Sequence, residues 1–355
     1  MSASILKNEP EMSRRDFVRT ATVGAAGLAF IGLPAAKSDA VEKYPHWGEV
    51  VIIRDESVTK GPTINFSIIE SMLDEGIKAF TNGGGWPSLI PYKTGETVGI
   101  KVNCERPRMT TQPKVVAALV NRLIGIGIPA DKIVVWDAES ERMLLSEMMG
   151  LGFRFKGLRV MGGDKLENPF DESKTIDLQG KPTKLIRLLT DADHLINVPV
   201  LKNHFEAGIT FALKNNLGGA GNSNKYRQGV FHLPPEEGNM IHKFAGRGRP
   251  IAERIALLNT APDIKNKTRL IVGDALFGVC TWGPGGEPEF AYNGLIIGRD
   301  PVATDHQVRL IIEGERKKRN LQFVPSSHVD EAIKLGLGAS IEDMKVNQIS
   351  RTVKG

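Results

Sequence analysis

The sequence is poor in cysteine, with Cys104 and Cys280 as the only two thiols among 355 residues. A cubane iron–sulfur cluster normally takes four thiolates, so no self-contained iron–sulfur cluster is expected. The two thiols could form one disulfide in an oxidising compartment. We favour two separate, buried thiols.

Several catalytic signatures are also missing. The chain has no His-Glu-x-x-His or Cys-x-x-Cys zinc pattern, and it has no Gly-x-Ser-x-Gly nucleophile elbow. The glycine loop at residues 218–221 lacks the Gly-Lys-Ser/Thr ending of a phosphate-binding loop. Ordinary zinc-protease, serine-hydrolase and P-loop chemistry are therefore not expected.

Neither sign of charge dominates. The 46 lysines and arginines are interspersed with 41 aspartates and glutamates, which leaves a formal net charge of +5. Nucleic-acid-binding proteins usually concentrate basic residues on one face, so we do not expect a nucleic-acid partner. The small positive excess permits an anionic ligand. Lys317 and Lys318 are predicted to form a solvated helix end.

No apolar run reaches the roughly 20 residues that span a bilayer, so no stable membrane span is expected. Near the N-terminus, Arg14 and Arg15 precede a mostly apolar stretch at 20–33 and a small-residue site at 38–40. This layout is typical of a twin-arginine signal peptide. We expect residues 1–40 to be that signal, the twin-arginine translocase to be the export partner, and the protein to be periplasmic. An uncleaved signal would tether it.

Strand-like and helix-like runs alternate along the rest of the chain. Apolar spacing of three and four predicts helices at 65–80, 113–126, 140–149, 250–258 and 301–312, the last capped by Asp300 and the second by Thr111. β-rich runs predict strands at 50–53, 97–102, 132–136, 158–161, 194–200, 270–272 and 294–298. This order predicts an α/β fold with a mostly parallel sheet flanked by helices.

The predicted domain covers residues 41–345. We expect it to have two lobes, at about 45–200 and 201–345, with a cleft between them. Residues 346–355 are predicted to be a C-terminal tail.

Charged or polar side chains follow five of the predicted strands. Ligands bind open parallel sheets beyond the carboxyl ends of the strands, so these side chains are expected to meet at one edge. They are Lys101, Asn103, Glu105, Arg106, Asp137, Glu139, Lys202, Asn203, His204, Asp274, Arg299 and Asp300. The candidate site depends on Lys101, Asp137, His204, Lys214 and Asp274 facing one hollow.

The segment after the strand at 194–200 is the richest in candidate groups. Lys214 follows the apolar run 209–213, and burial there would lower its pKa and make it nucleophilic. His232, further along, is a candidate for metal ligation or proton transfer. A structural or surface role remains the alternative for each of these single residues.

Six motifs together resemble the domain-of-unknown-function 362 family. They are GIKVN at 99–103, VVWDAE at 134–139, ADHLINVPVLKNH at 192–204, TFALKNNLGG at 210–219, VGDAL at 272–276 and GRDPVATDH at 298–306. The resemblance covers roughly residues 50–345, and the family has no settled reaction. Some members carry a ferredoxin-like four-cysteine segment, which this chain lacks.

The order of features is also distantly similar to that of the nickel-dependent lactate racemase family. Glu105-Arg106-Pro107 is similar to an ERP-like turn after an early strand, and His204 to a histidine after a later strand. Lys214 stands where that family has a lysine that holds an organic nickel cofactor, and His232 lies near a metal-binding histidine. The resemblance implies a two-lobed α/β architecture.

Our first hypothesis is an exported, cofactor- or metal-dependent enzyme that acts on a small anionic substrate in an isomerase-like or redox reaction. The catalytic candidates are His204, Lys214, Lys202 and Asp137; the cofactor-binding candidates are Lys101, Asn103, Asn215, Gly218 and Gly219; and the candidate ligands of a divalent metal are His232, Asp274 and Asp305. Carboxylates among these would favour a hard or borderline cation. The alternative for Asp300 and Asp305 is capping or pairing within their helix.

Two other hypotheses stay open. One is a periplasmic protein that binds or delivers a metal or an anionic ligand without catalysis. The other is a maturation or interaction subunit for an exported redox enzyme. Whether the protein is an enzyme is therefore undecided at this point.

Overall fold

The structure of the protein, a computed structural model, describes residues 44–221, 249–281, 283–322 and 324–351, apart from the side chains of residues 249 and 250. The predicted signal peptide and His232 lie outside the described residues. Within them, the predicted α/β fold is confirmed, with a mostly parallel sheet covered by helices.

Fifteen strands lie in the described part of the chain. They are β1 (Glu49–Asp55), β2 (Thr59–Lys60), β3 (Thr63–Ile64), β4 (Val98–Val102), β5 (Ile133–Asp137), β6 (Arg159–Gly162), β7 (Phe170–Asp177), β8 (Pro182–Ile186), β9 (His194–Val198), β10 (Val200–His204), β11 (Gly208–Thr210), β12 (Ala220–Gly221), β13 (Thr268–Val279), β14 (Phe290–Gly298) and β15 (Lys345–Arg351).

Ten of these strands form one sheet, in which the order β15-β1-β14-β13-β9-β4-β5-β6 is completed by β10 and β11. β14 is antiparallel to both of its neighbours, and β11 is antiparallel to β10; the other pairings are parallel. β12, β8 and β7 form a second, three-stranded sheet, and β2 pairs with β3. Strands from both predicted lobes belong to the large sheet.

The described helices are mostly short, with two longer ones on each side of the sheet. They are α1 (Phe66–Phe80), α2 (Gly85–Leu89), α3 (Pro113–Gly125), α4 (Ser140–Leu145), α5 (Leu151–Arg154), α6 (Arg187–Thr190), α7 (Ala212–Asn215), α8 (Arg249–Leu258), α9 (Pro262–Lys265), α10 (Pro301–Lys318) and α11 (Ser327–Lys334). No helix among the described residues is both long enough and apolar enough to cross a membrane.

Helices cover both faces of the large sheet, and the strand sequences reflect this. In β1, Val51 and Ile53 pack in a core with α1 and α3, whereas Val50 and Ile52 pack in another with α8, α10 and α11. Successive strand side chains point to opposite faces, so a sheet buried on both sides reads as a continuous apolar run. This explains the unbroken run VVII in β1.

Caps fix the start of α10 as predicted. The Asp300 carboxylate accepts hydrogen bonds from the backbone N–H groups of Val302 and Ala303 at 2.9 and 3.0 Å, and from those of Gly48 and Ala339 at 3.0 and 2.8 Å. Asp300 is therefore fully occupied as a cap.

Several predicted features differ from the structure. The predicted strand 270–272 is part of the twelve-residue β13, and the predicted strand 194–200 is divided at Pro199 into β9 and β10. The N-cap of α3 is Gln112, because the Thr111 hydroxyl is used elsewhere: it accepts from the N–H of Asn103 and donates to the carbonyl of Val198, both at 2.8 Å. The predicted tail begins with β15, which pairs with β1.

Both thiols are buried and free. The prediction of two separate buried cysteines is therefore confirmed. Burial raises the pKa of the Cys104 thiol to about 12, with a further contribution from the negative charge of Asp137. Neither thiol lines the cavity described below.

Candidate functional site

A cavity of about 260 Å³ lies against β4, β5, β10, β11 and α7. Its size suits a small metabolite. The residues that line it are Lys101, Asn103, Glu105, Arg106, Asp137, Ala138, Glu139, Lys202, His204, Phe205, Thr210, Lys214, Asn215, Leu217, Gly218 and Pro284. The structure thus brings together Lys101, Asp137, His204 and Lys214, which are four of the five groups on which the predicted site depends.

Lys101 and Asp137 form a buried ion pair at the ends of β4 and β5. The ammonium of Lys101 donates to Asp137 Oδ1 at 2.7 Å and to the carbonyl of Val102 at 2.6 Å. The Asp137 carboxylate also accepts from the backbone N–H groups of Cys104 and Ala138, at 2.6 and 2.7 Å. These partners fix the orientation of Asp137, which in turn positions Lys101 and the cavity wall; the catalytic role of Asp137 stays a prediction.

Gly218 packs directly on this ion pair. A Cβ atom added to Gly218 would lie 3.0 Å from Asp137 Oδ1 and 3.0 Å from Lys101 Cε, so the close approach favours glycine. Gly219, by contrast, does not line the cavity, and its added Cβ would lie 2.9 Å from Leu189 Cδ1. Packing against Leu189 accounts for Gly219 without a cofactor.

Three asparagines connect the sheet to α7. Asn215 Oδ1 accepts from Asn103 Nδ2 at 3.0 Å, and Asn215 Nδ2 donates to Asn197 Oδ1 at 2.7 Å. Asn197 in turn donates to the carbonyl of Ala212 at 2.9 Å. Because each amide satisfies another in a buried network, α7 is fixed over the ends of β4 and β9.

Lys202 is fully buried beside the cavity. Its ammonium donates to Asn103 Oδ1 at 2.7 Å and to the carbonyl of Met109 at 3.0 Å, and no carboxylate in the described part of the chain forms an ion pair with it. Burial lowers the pKa of Lys202 to about 7, and the nearby charge of Lys214 lowers it further, against smaller opposing effects of Glu105 and Asp137. An ammonium has three donors, so one remains for a ligand.

Lys214 is carried by the four-residue helix α7 and is partly exposed at the cavity wall. Its ammonium has no hydrogen-bonding or ionic partner among the residues that the structure describes. Burial lowers its pKa to about 8, and the negative charges of Glu105 and Glu206 oppose this only in part. The predicted desolvation of Lys214 therefore agrees in direction with the structure.

His204 ends β10 with its ring stacked on that of Phe205, at 4.8 Å between centroids. Its Nδ1 accepts hydrogen bonds from the backbone N–H groups of Glu206 and Ala207, at 3.1 and 3.2 Å. In this arrangement the ring proton lies on Nε2. This leaves Nε2 of His204 as the ring nitrogen that can donate a hydrogen bond, and the catalytic role of His204 stays a prediction.

Asn203, the residue before His204 in β10, points to the opposite face of the strand. Asn203 Oδ1 accepts from the N–H of Gly283 at 2.8 Å, and its Nδ2 donates to the carbonyl of Thr281 at 3.1 Å. These bonds hold the loop that places Pro284 at the cavity.

Asp274 does not reach the cavity, so the prediction that it joins the other four groups is wrong. β13 continues five residues beyond it, to Val279, which leaves Asp274 inside the sheet rather than after a strand. Its carboxylate accepts from the N–H groups of Gln112 and Leu276, at 2.7 and 3.2 Å. Burial raises its pKa to about 6.

Asp305 is also absent from the cavity lining. It is fully buried behind α7, where it accepts from the N–H groups of Ala212 and Leu213 at 2.7 and 3.2 Å and lies 3.5 Å from His328 Nε2. Burial raises its pKa. Asp305 thus positions the helix that carries Lys214. Its partners lie in α7 and α11 and not within its own helix α10, so the alternative of pairing within that helix does not describe it.

The described residues do not fit a metal centre. Nowhere in 44–221, 249–281, 283–322 or 324–351 are three or more His, Cys, Asp or Glu side chains grouped to hold a metal ion. Asp274 and Asp305 are occupied by backbone donors, and the third predicted ligand, His232, lies outside these ranges. Arg299 and Asp300 follow β14, which runs antiparallel to its neighbours. They therefore lie at the end of the sheet opposite to the carboxyl ends of the parallel strands.

Sequence reasoning missed Thr210, Phe205, Leu217 and Pro284 in the cavity lining. The tight connection between β10 and β11 places Thr210 directly opposite Lys202 in the antiparallel ladder. Gly208, with a φ of +78°, is the signal for that turn. Pro284 is brought in only by the tertiary contact with Asn203.

The fold and the cavity define an α/β protein with a small, cation-rich binding site. The family described as Domain of unknown function (DUF362) matches residues 98–308, and the chain belongs to this family. The matched segment contains all of the residues that line the cavity. No curated protein matches the chain.

Among solved structures, the chain is similar to the lactate racemase apoprotein from Thermoanaerobacterium thermosaccharolyticum. The two are 12% identical with a TM-score of 0.46, and the match covers 74% of this chain and 56% of that protein. The chain thus spans little more than half the length of this neighbour, and we draw no conclusion about activity from the likeness.

Proposed function

We propose that this protein is an enzyme that binds a small anionic substrate in the cavity and moves a proton at a carbon atom next to a carbonyl or carboxyl group, an isomerase-type reaction. The observation that carries the proposal is Lys214, an amine with a lowered pKa of about 8 and no partner in the described structure, at the wall of a closed-in cavity. Perturbed lysines in clefts are typical of catalytic sites.

The charge balance of the cavity supports an anionic substrate. Lys101 is neutralised by Asp137. The two glutamates of the lining, Glu105 and Glu139, form ion pairs with Arg142, the latter at 2.9 Å. Within the part of the chain that the structure describes, Lys202 and Lys214 have no carboxylate in contact, so a negative charge on the ligand would stabilise both.

The lowered pKa gives Lys214 a reactive population at neutral pH. With a pKa of about 8, about one tenth of the side chain is the free amine at pH 7, which is roughly 300-fold more than for an unperturbed lysine. A base whose pKa lies near the working pH transfers protons most effectively. Lys202, which is deeper and hydrogen-bonded, is better placed to hold the anion.

The proposal contains no step at a metal, because the described residues offer no fitting ligand set. Export by the twin-arginine translocase to the periplasm is a separate part of the proposal. It is supported by the Arg14-Arg15 pattern alone, and fractionation of cells that express the full-length chain tests it.

Solvent-hydrogen exchange tests the catalytic proposal. The full-length protein is incubated in D₂O with a panel of 2-hydroxy, 2-oxo and 2-amino monocarboxylates. Deuterium is measured by NMR at C2 of the 2-hydroxy and 2-amino acids, and at C3, next to the carbonyl group, of the 2-oxo acids. We expect exchange in at least one compound, and a loss of about 10²- to 10⁴-fold in Lys214→Met, the range typical of general-base catalysis. Lys214→Arg keeps the charge but not the base, so it should be as inactive.

Equal exchange by wild type and Lys214→Met would refute the assignment of Lys214. The alternative of a binding or delivery protein rests on a specific observation, namely that Asp137 and His204 are held as positioning groups. Stoichiometric binding of a carboxylate, with no exchange in any member of the panel, would favour that alternative.

A further inference from the structure

We infer that Thr210 and Lys202 together form a subsite for a monocarboxylate group, in which the Thr210 hydroxyl donates a hydrogen bond to one carboxylate oxygen and the Lys202 ammonium binds the other. This inference deepens the proposed function and rests on it, since it names the chemical class of the anion. It assigns a role to a residue that the sequence patterns did not single out.

The pairing of β10 with β11 places the two groups side by side. Lys202 is directly opposite Thr210 in the antiparallel ladder, and directly opposed residues point to the same face. His204, two residues along β10, shares that face. All three line the cavity, so one face of this two-stranded ribbon forms its cationic wall.

The Thr210 hydroxyl is a buried donor without a partner. The side chain is only 4% exposed, and its Oγ1 has no hydrogen-bond partner among the described residues. Buried polar groups are nearly always satisfied, and a group that stays unsatisfied costs its full desolvation penalty. Among the unsatisfied buried hydroxyls of the described residues, that of Thr210 belongs to a residue of the cavity lining, so it is available to a ligand oxygen.

The contrast with Thr111 shows that the fold can satisfy a buried threonine where no ligand is needed. The Thr111 hydroxyl both accepts and donates at 2.8 Å within the protein. At Thr210, the downstream backbone is tied to Asp305 through Ala212 and Leu213, so the strand is held in place while its hydroxyl remains unpaired.

The number of donors favours a carboxylate over a phosphate. The subsite offers one hydroxyl and the one donor that Lys202 does not use within the protein, which matches two oxygens and a single negative charge. A phosphate dianion would need more donors than this pair offers, and it would have to reach a further cation of the lining, such as Arg106.

Binding of glycolate, acetate and inorganic phosphate to the full-length protein tests the inference, by calorimetry at pH 7.0. We expect Thr210→Val to weaken glycolate and acetate binding roughly tenfold, in line with the loss of one hydrogen bond to a charged group, and to raise the melting temperature without ligand. Thr210→Ser should bind within about threefold of wild type. Thr190→Val removes another buried hydroxyl that lies outside the cavity and should not change binding.

The outcomes separate this inference from the proposed function. If Lys214→Met abolishes exchange while Thr210→Val binds glycolate as tightly as wild type, only the subsite is refuted. Tighter binding of phosphate than of glycolate would overturn the carboxylate assignment. If wild type binds none of the three anions, the proposed function fails as well. Should Thr210→Val not fold, Thr210→Cys, which is similar in size and a weaker donor, is expected to bind with intermediate affinity, and wild-type affinity would count against the subsite.

Discussion

Binding of a carboxylate should be accompanied by uptake of a proton, mainly at Lys202. Burial holds the pKa of this side chain at about 7 in the free protein, so at pH 7.5 only about one quarter of it is charged. A bound carboxylate stabilises the ammonium and raises that pKa. Complete protonation of Lys202 then takes up about 0.75 proton per ligand at pH 7.5.

Lys214 contributes less to this uptake. With a pKa of about 8 it is already about three quarters protonated at pH 7.5, so the two lysines together take up at most about one proton. At pH 6 both are almost fully charged, and the uptake should fall to about 0.1 proton. The free energy of binding should therefore weaken as the pH rises from 7 to 9.

Calorimetry of glycolate binding in Tris and in HEPES measures the uptake, because the two buffers differ in ionisation enthalpy and the observed enthalpy changes in proportion to the protons exchanged. Lys202→Arg is the matched control: arginine keeps the positive charge but does not titrate in this range, so the uptake should fall to that of Lys214 alone. Equal binding enthalpies in both buffers at pH 7.5, with binding intact, would show that Lys202 does not titrate as reasoned here.

Two further predictions concern the carboxylates that lie outside the cavity. Asp305→Asn should lower the free energy of unfolding by about 1–3 kcal/mol and should also lower the deuterium-exchange rate at saturating substrate, because it weakens the bonds to the N–H groups that position α7. Asp300→Asn, which changes the cap of α10, should destabilise the protein without slowing exchange by the folded fraction. Equal slowing of exchange by both variants would contradict the positioning role of Asp305. Since burial raises the pKa of Asp274 to about 6 from an ordinary value of 3.8, its ionisation should lower the free energy of unfolding by ~3 kcal/mol as the pH rises from about 4 to 6. Urea denaturation at pH 4 and pH 7 checks this, and an unchanged pH dependence in Asp274→Asn would exclude Asp274 as its source.

The sequence predicted the layers of the fold because its patterns are local. Apolar spacing placed α1 and α3 close to their observed limits and α10 at its observed start, and the Asp300 cap was read from the chain alone. α10 continues to Lys318, beyond its predicted end at residue 312. The length of β13 could not be read in this way, because residues 273–279 include Asp274 and two glycines and continue the strand only through pairing with β10 and β14.

The candidate site was predicted where polar residues end parallel strands, as at Lys101 and Asp137. The prediction failed where direction or strand length was misjudged, as at Asp274 and Arg299. Thr210 was beyond reach, since the state of its hydroxyl depends on which groups surround it in three dimensions. The roles of Asp137 and His204 were also set by backbone donors, which no side-chain pattern reveals.

The two faces of β10 have consequences for how exactly this strand must be placed. Lys202 and His204 point into the cavity, and Asn203 points away to grip the 281–284 loop. A shift of β10 by one residue relative to its neighbouring strands would exchange these faces. The amide of Asn203 would then face the cavity in place of Lys202 and His204, and the hydrogen bonds from Asn203 to Thr281 and Gly283 would be lost. Asn203 therefore fixes the register of β10, and a protein without it would risk folding correctly everywhere except at this strand of the cavity wall.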